Sequence, residues 1–205
     1  ASVDDFDLDH IRHDHLAMLS AEAGSLEAEG TLQRVYQQLV RLHKGIYPRL
    51  RKSGIELHAN NNQGMLVSGH SAASTYPVQA MTLAYLRPQA KAHVVEGIMG
   101  RDQTAPIEAH RHPVIELRLT SDGFVIELVV SPYAWCDQQN LIGKMTLDQH
   151  RNSLYSLLAS FDADYTLGFW GGLHLDDMHL TTEQLPPPRV LYEWLATFAA
   201  ERDWL

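Results

Sequence analysis

The sequence predicts an α+β fold, in which a mainly antiparallel sheet with a central hairpin packs against N-terminal, middle and C-terminal helices. Three observations support this prediction: helical periodicity near both ends and in the middle, an Asp-Gly turn between two strand-like runs, and no regular alternation of strands and helices. An irregular order of elements is typical of α+β domains, whereas parallel α/β folds repeat a strand–helix unit.

The composition indicates a single α+β domain over residues 1–205, with residues 1–30 as a helical N-terminal extension. Hydrophobic residues make up 45% of the 205 residues and charged residues 20%, which is enough to build a buried core. The net charge of -9 disfavours nucleic-acid binding. The single Cys136, the acidic start without a secretory signal and the lack of a membrane-length apolar run predict a cytoplasmic protein that contacts no membrane.

Two helices are predicted in the N-terminal part of the chain. Asp9–Leu19 has apolar residues at helical spacing, and so does the longer segment Thr31–Arg51. Pro48 is expected to kink or end the longer helix, because proline lacks the amide donor. Gly54 suits the position just past a helix end.

Strands are predicted over Met81–Arg87 and His93–Met99, and the best-defined element is a hairpin after them. Its strands, Val114–Thr120 and Phe124–Val130, are closed by Asp122-Gly123 as a two-residue turn. This turn places Arg118 directly opposite Glu127 and makes one face of the hairpin apolar. The residues of that face, which are expected inside, are Ile115, Leu117, Leu119, Ile126, Leu128 and Val130.

The C-terminal part is predicted to contain two helices and a strand. Thr146–Gln149 matches a capping box and opens a helix that ends near Phe161. Tyr165–Trp170 has the pattern of a strand, and Pro186–Pro188 forms a stiff linker into a final helix, Arg189–Arg202.

His110, His112 and Glu116 follow the spacing His-x-His-x3-Glu, which resembles the first metal-binding motif of the cupin family. In cupins these residues bind a divalent metal inside a small β-barrel, so the resemblance implies a transition metal such as Fe, Mn, Ni or Zn. The sequence has Thr104 where cupins have a glycine, and it contains no second cupin motif. Without a metal, Glu116 would pair with Arg118 on the same face of the hairpin.

Two further segments carry groups suited to a ligand pocket. In the connection that includes Trp135–Asn140, an aromatic ring lies beside amide groups, and His174–His179 combines histidines with carboxylates that could perform acid–base chemistry. The plainer interpretation of both is a polar loop whose side chains satisfy backbone groups. The ligand-binding residues predicted from them are Trp135, Asp137, Gln138, Asn140, Trp170, His174, Asp177 and His179.

Three segments, Arg111–Thr120, Trp135–Lys144 and Gly168–Gly172, together resemble bacterial conserved proteins of unknown function. The resemblance extends over residues 32–205 and implies a soluble bacterial protein, without an activity to carry over.

The sequence leaves functions of different classes open. The first is a binding or assembly protein without a catalytic motif, whose partner is a small molecule, another protein or a second copy of the chain. The alternative is a metal-dependent, cupin-like enzyme that uses His110, His112 and Glu116. A third is acid–base chemistry at His174–His179. Whether the chain is an enzyme is not decided by these residues.

Overall fold

The computed structural model describes residues 26–60, 67–68, 71–73, 80–102, 104–120, 123–161, 165–168 and 179–200. The chain divides into two compact units, Ala1–Trp135 and Cys136–Leu205. The described residues include five α-helices and two antiparallel sheets, so the predicted α+β class is confirmed. The helix predicted over Asp9–Leu19 lies outside the described residues, and the prediction of a single domain over residues 1–205 stays a prediction.

The first unit is built on a four-stranded antiparallel sheet, and one long helix packs across it. A second helix connects the second strand to the third and is followed by a short 3-10 turn. In chain order the elements are α1 (Leu26–Lys52), β1 (His58–Ala59), β2 (Met81–Leu86), α2 (Gln89–Ile98), the 3-10 turn Ala109–Arg111, β3 (Val114–Thr120) and β4 (Gly123–Val129), with the strand order β1-β2-β3-β4.

Helix α1 supplies one side of the core. Its residues Val35, Leu39 and Leu42 are fully buried, and their spacing places them on one helical face. They pack against side chains from two strands of the sheet, because the apolar face of a helix must cover the apolar face of a neighbouring element. Those strand residues are Leu83 and Tyr85 of β2 and Leu117 and Leu119 of β3.

Helix α1 begins earlier than predicted, at Leu26, and runs through Pro48 to Lys52. The helix therefore does not end at Pro48, and of the two predicted effects of this proline only the kink stays a prediction. Tyr47 and Leu50, on either side of the proline, pack against the core, and this packing offsets the hydrogen bond that proline cannot donate. Gly54 follows the helix with φ 74°, so its predicted place past the helix end is confirmed.

The segment His93–Met99, predicted as a strand, forms the second half of helix α2 as far as Ile98 and the C-cap residue Met99, so this prediction is wrong. The prediction relied on a run of large apolar side chains, but Val94 and Ile98 are exposed. The buried residues of the helix are Ala92 and Glu96, which lie one helical turn apart. The small alanine and the charged glutamate face the protein interior, and no pattern of hydrophobicity reveals such a face.

The predicted hairpin is present as β3 and β4, but its register differs from the prediction. Leu119 pairs with Phe124 and Thr120 pairs with Gly123, so Arg118 lies opposite Val125 and not opposite Glu127 as predicted. The observed register brings the Phe124 ring against the core under α1. Burial of an aromatic ring stabilises the fold more than a directly opposed pair of surface charges does, which explains the difference.

The shift moves β4 by two residues, so each side chain keeps its predicted face. Glu116 becomes the residue opposite Glu127, and Arg118 reaches Glu127 diagonally, with its Nη2 2.7 Å from Oε1. The predicted direct opposition of Arg118 and Glu127 is therefore wrong, although the two side chains are in contact. The prediction of a buried apolar face is wrong for β4: Ile126 and Leu128 are 51% and 67% exposed, because β4 is an edge strand.

The second unit contains helices and a two-stranded sheet. Helix α3 begins at the last residue of the first unit. Helices α4 and α5 pack together, and each has a buried leucine, Leu158 and Leu191. The guanidinium of Arg151 lies 5.8 Å from the centre of the Tyr192 ring. The elements are α3 (Trp135–Met145), α4 (Asp148–Ala159), β5 (Thr166–Gly168), β6 (His179–Thr181), a 3-10 turn at Thr182–Gln184 and α5 (Pro188–Ala200).

The predicted capping box at Thr146 is wrong. The Thr146 hydroxyl donates to the carbonyl of Gly143 at 2.7 Å, so it closes the end of α3 and does not cap α4. The residue before α4 is Leu147, which makes no side-chain cap hydrogen bond. Among the described residues, every helix is too short or too polar to cross a lipid bilayer.

Candidate functional site

A pocket of about 370 Å³ lies in the first unit, at the C-terminal end of α2. Its walls come from that helix, from the chain that follows it and from Arg111 in the 3-10 turn. The volume is at the low end of the range for small-molecule sites, about 300–1,000 Å³. Most of its lining is charged or polar: His93, Glu96, Arg101, Asp102, Ala105, Pro106 and Arg111.

The end of α2 brings Arg101 beside Glu96. Gly100 adopts φ 68°, a left-handed conformation that glycine takes at little cost, and the chain turns there. The Arg101 amide then donates to the Glu96 carbonyl at 3.0 Å. As a result, the Arg101 side chain returns along the helix, and its Nη1 lies 3.3 Å from Glu96 Oε2.

Glu96 is the buried carboxylate of the pocket, with 5% of its surface exposed. A carboxylate at such depth requires compensating charge or hydrogen bonds. Oε2 faces Arg101, and Oε1 lies 3.2 Å from Nε2 of His112. The Glu96 carboxylate therefore lies between an imidazole and a guanidinium, and of these two partners Arg101 lines the pocket with it.

His112 is 3% exposed and lies behind Glu96. Its Nδ1 is 3.1 Å from Nη1 of Arg87. Because a guanidinium has only donors, Nδ1 must accept this hydrogen bond, and the proton of the neutral ring is then on Nε2, towards Glu96. Arg87 and Glu96 thus fix both the tautomer and the orientation of the imidazole.

The outer part of the pocket is held by local turns. Asp102 accepts hydrogen bonds from the Thr104 amide at 2.8 Å and its hydroxyl at 2.7 Å, and these bonds lower the pKa of Asp102. Arg111 Nε contacts Glu108 Oε2 at 2.5 Å. His110 Nε2 lies 3.5 Å from the same oxygen, and burial is the main reason that the pKa of His110 is lowered.

Glu116 lies on the other side of the sheet region from α1 and has no exposed surface. Its carboxylate accepts a hydrogen bond from Ser71 Oγ at 2.7 Å and another from the Ala72 amide at 2.8 Å. These two bonds attach the segment 71–73 to the middle of β3. The alternative prediction paired Glu116 with Arg118. In the structure Glu116 binds Ser71 and Ala72, and Arg118 contacts Glu127.

The structure does not bring His110, His112 and Glu116 together. Each has its own partners, and both ring nitrogens of His112 already face other side chains. Among the described residues there is no group of three or more His, Cys, Asp and Glu side chains that could hold a metal ion.

The segment Trp135–Asn140, expected as a connection, forms the first turns of α3. Gln138 is buried within that helix, whereas Trp135 and Asn140 are exposed, and Asn140 Nδ2 donates to Cys136 Sγ at 3.9 Å. Asp137 lies in the first turn, where an acidic side chain favours the helix. None of these side chains lines the pocket described above.

Of the other predicted ligand residues, Trp170, His174 and Asp177 are outside the described residues. His179 is the first residue of β6 and pairs with Gly168.

The sequence analysis missed Arg87, Glu96 and Arg101. A signal for Glu96 exists, since a lone carboxylate interrupts the apolar run Val-Val-Glu-Gly-Ile one helical turn after Ala92. It becomes visible only if the segment is assigned as a helix. Arg87 and Arg101 follow no spacing rule, because each reaches the site from just beyond the end of an element.

The chain matches no protein-family model, no curated protein and no solved structure.

Proposed function

We propose that this chain is a small-molecule binding protein and that the pocket at the end of α2 holds the ligand. The observation that carries the proposal is Glu96, a buried carboxylate in the pocket lining whose ion-pair partner Arg101 is partly exposed and lines the same pocket. A hydrogen bond to a charged group contributes about 1.5–3 kcal/mol. A ligand that donates to this carboxylate therefore gains a strong hydrogen bond.

The surrounding contacts favour binding over acid–base catalysis. A histidine acts as a general base through the lone pair of its unprotonated nitrogen. In His112 that lone pair accepts a hydrogen bond from Arg87, and the protonated nitrogen faces Glu96. The imidazole is therefore a fixed support for the carboxylate. The single cysteine, which allows no intrachain disulfide, is consistent with a place for this function in a reducing compartment such as the cytoplasm.

The proposal is tested by NMR titration of the full ¹⁵N-labelled chain with glycerol, acetate, methylammonium, imidazole and pyridine. We expect at least one probe to shift the amide signals of Arg101, Asp102 and Ala105 in a saturable way. If all five probes leave these signals unchanged up to their solubility, or move only signals remote from the pocket, the proposal is wrong.

A steric variant provides the control. Ala105 is exposed at the pocket lining, so Ala105→Trp should fill the space without touching the buried groups, and Ala105→Ser should leave it open. We expect the tryptophan variant to lose the titration and the serine variant to keep it. Equal titration in both variants would place the bound probe elsewhere.

A further inference from the structure

Building on the proposed function, we propose that the ligand is a small neutral molecule that presents a hydrogen-bond donor and acceptor side by side, as a primary carboxamide does. The juxtaposition of Glu96 and Arg101 in the pocket carries this inference.

The two charged groups are complementary and adjacent. Glu96 offers an acceptor at Oε2 and Arg101 offers a donor at Nη1, and these two atoms lie 3.3 Å apart. A carboxamide has an N–H and a carbonyl on one edge, so it can donate to Glu96 and accept from Arg101 at the same time. Hydrogen bonds to charged groups are among the stronger ones, which makes this edge a favourable match.

Access to the buried carboxylate requires only Arg101 to move. Its side chain is 26% exposed, whereas the Glu96 side chain is 7% exposed and is held between Arg101 and His112. A rotation of the guanidinium opens one side of the carboxylate to the pocket. The incoming carboxamide then occupies the gap and accepts the hydrogen bond that the rotated guanidinium donates.

The formal charges of the pocket lining are balanced. Arg101 and Arg111 are opposed by Glu96 and Asp102 in the same lining. A ligand that carries only one charge is attracted by two of these side chains and repelled by the other two. The free-energy cost of removing its charge from water is then not recovered. A neutral ligand with both hydrogen-bonding functions avoids this cost.

The remaining wall limits the size of the ligand. Ala105 and Pro106 supply small apolar surfaces, and the cavity of about 370 Å³ equals the volume of about a dozen liquid water molecules at roughly 30 Å³ each. A carboxamide with a short aliphatic or ring substituent fits these dimensions.

The inference is tested with four compounds of nearly equal size, each titrated into the full ¹⁵N-labelled chain. Propionamide has the donor and the acceptor, 2-butanone has only the acceptor, propionate is an anion and propylammonium is a cation. We expect propionamide to bind at least tenfold more tightly than the other three, as read from the amide signals of Arg101 and Ala105. Equal or tighter binding of any of the other three would overturn the carboxamide assignment.

Two variants give a readout that a purely structural role would not produce. Glu96→Gln removes a negative charge from the lining, so it should weaken propionamide and strengthen propionate. Arg101→Gln should weaken propionamide and strengthen propylammonium, and because Arg101 is partly exposed this variant retains more of the fold. A uniform loss of all four compounds in folded Arg101→Gln would contradict the inference.

The outcome separates the inference from the proposed function. If propionamide shows no preference while glycerol, imidazole or another probe of the first titration still binds in the pocket, only the ligand class is wrong. If no compound of either series binds, the proposed function is wrong as well.

Discussion

Arg87 Nη1 lies 3.1 Å from Nδ1 of His112, and this contact determines where the buried imidazole carries its proton. Arginine cannot accept a hydrogen bond, so Nδ1 is the acceptor and Nε2 bears the proton that faces Glu96. A residue at the end of β2 thereby orients a side chain that precedes β3, and that side chain supports the carboxylate of α2.

The first prediction concerns this tautomer. In the native chain we expect His112 to be a single neutral species with the proton on Nε2, and we expect Arg87→Met to give a mixture of both tautomers. Long-range ¹H–¹⁵N correlation spectra of the imidazole distinguish the two nitrogens directly. The ring of His110, which contacts Glu108 and Tyr133, serves as the internal control. A native His112 with its proton on Nδ1 would contradict the assignment.

The second prediction concerns the stability of the pocket. Glu96→Gln leaves Arg101 and His112 without their negative partner, and we expect it to lower the free energy of unfolding by about 2 kcal/mol. Urea denaturation at pH 7 measures the change. The matched control is Glu56→Gln, in which an exposed carboxylate loses its ion pair with Lys91 and little stability should be lost. Equal effects would mean that burial of Glu96 has no energetic consequence.

The third prediction ranks two substitutions of Glu116. Glutamine keeps one acceptor for the Ala72 amide and can donate to the Ser71 hydroxyl, so Glu116→Gln should cost about 1 kcal/mol. Alanine leaves both groups unbonded next to a cavity, so Glu116→Ala should cost about 3 kcal/mol. Urea denaturation of both variants checks the order. If glutamine costs as much as alanine, the negative charge and not the hydrogen bonding holds the segment 71–73.

The fourth prediction is a pH dependence of stability that arises from Glu127. Burial raises the pKa of Glu127 above its ordinary value of 4.5, Arg118 opposes this shift and Glu116 adds to it. The folded state therefore binds more protons than the unfolded state just above pH 4.5, and stability falls as the pH rises through that window. Glu127→Gln, which resembles the protonated form, should be more stable relative to the native chain at pH 7 than at pH 4, as measured by urea denaturation at both values.

A carboxylate with the opposite behaviour provides the control for this experiment. The pKa of Glu56 is lowered by its hydrogen bond and ion pair with Lys91, so its contribution is present above pH 4.5 and is lost as the pH falls through the lowered pKa. Glu56→Gln should thus lose relative stability towards neutral pH. The same sign of pH dependence in both variants would contradict the reasoning.

The fifth prediction compares two glycines in or next to α1. Gly54 has φ 74° just past the helix, so Gly54→Ala should destabilise the protein by about 1 kcal/mol, although no atom would meet the added methyl group. Gly30 is exposed within the helix with space around it, so Gly30→Ala should stabilise the protein by about 0.5–1 kcal/mol. Thermal or urea unfolding of the two variants should show shifts of opposite sign.

Much of the architecture of the first unit follows from local sequence. The stripe that contains Val35, Leu39 and Leu42 predicts α1, and the alternation on both sides of Asp122-Gly123 predicts the hairpin. These signals succeed because the buried faces are apolar and regularly spaced. The exact register depends on where Phe124 is buried, and that depends on α1, which lies far away in sequence.

The candidate site could not be predicted in the same way. In α2 the interior face consists of Ala92 and Glu96, while the exposed face carries valine and isoleucine, so the hydrophobic pattern points to the wrong element. The contacts of Glu96 are made by residues from two other segments of the chain. Their convergence is set by the turn at Gly100 and by the path of the chain into β3, neither of which has a residue-spacing signature.

The charged groups of the pocket follow one another in a single stretch, from Arg87 at the end of β2 to His112 just before β3. This continuity is useful for protein engineering, because lengthening a surface loop elsewhere in the chain adds little loop-closure entropy. A reporter sequence inserted at the exposed junction of α3 and α4 would leave that stretch uninterrupted. The molecule can thus carry a fluorescent or affinity label while the stretch from Arg87 to His112 keeps its native connectivity.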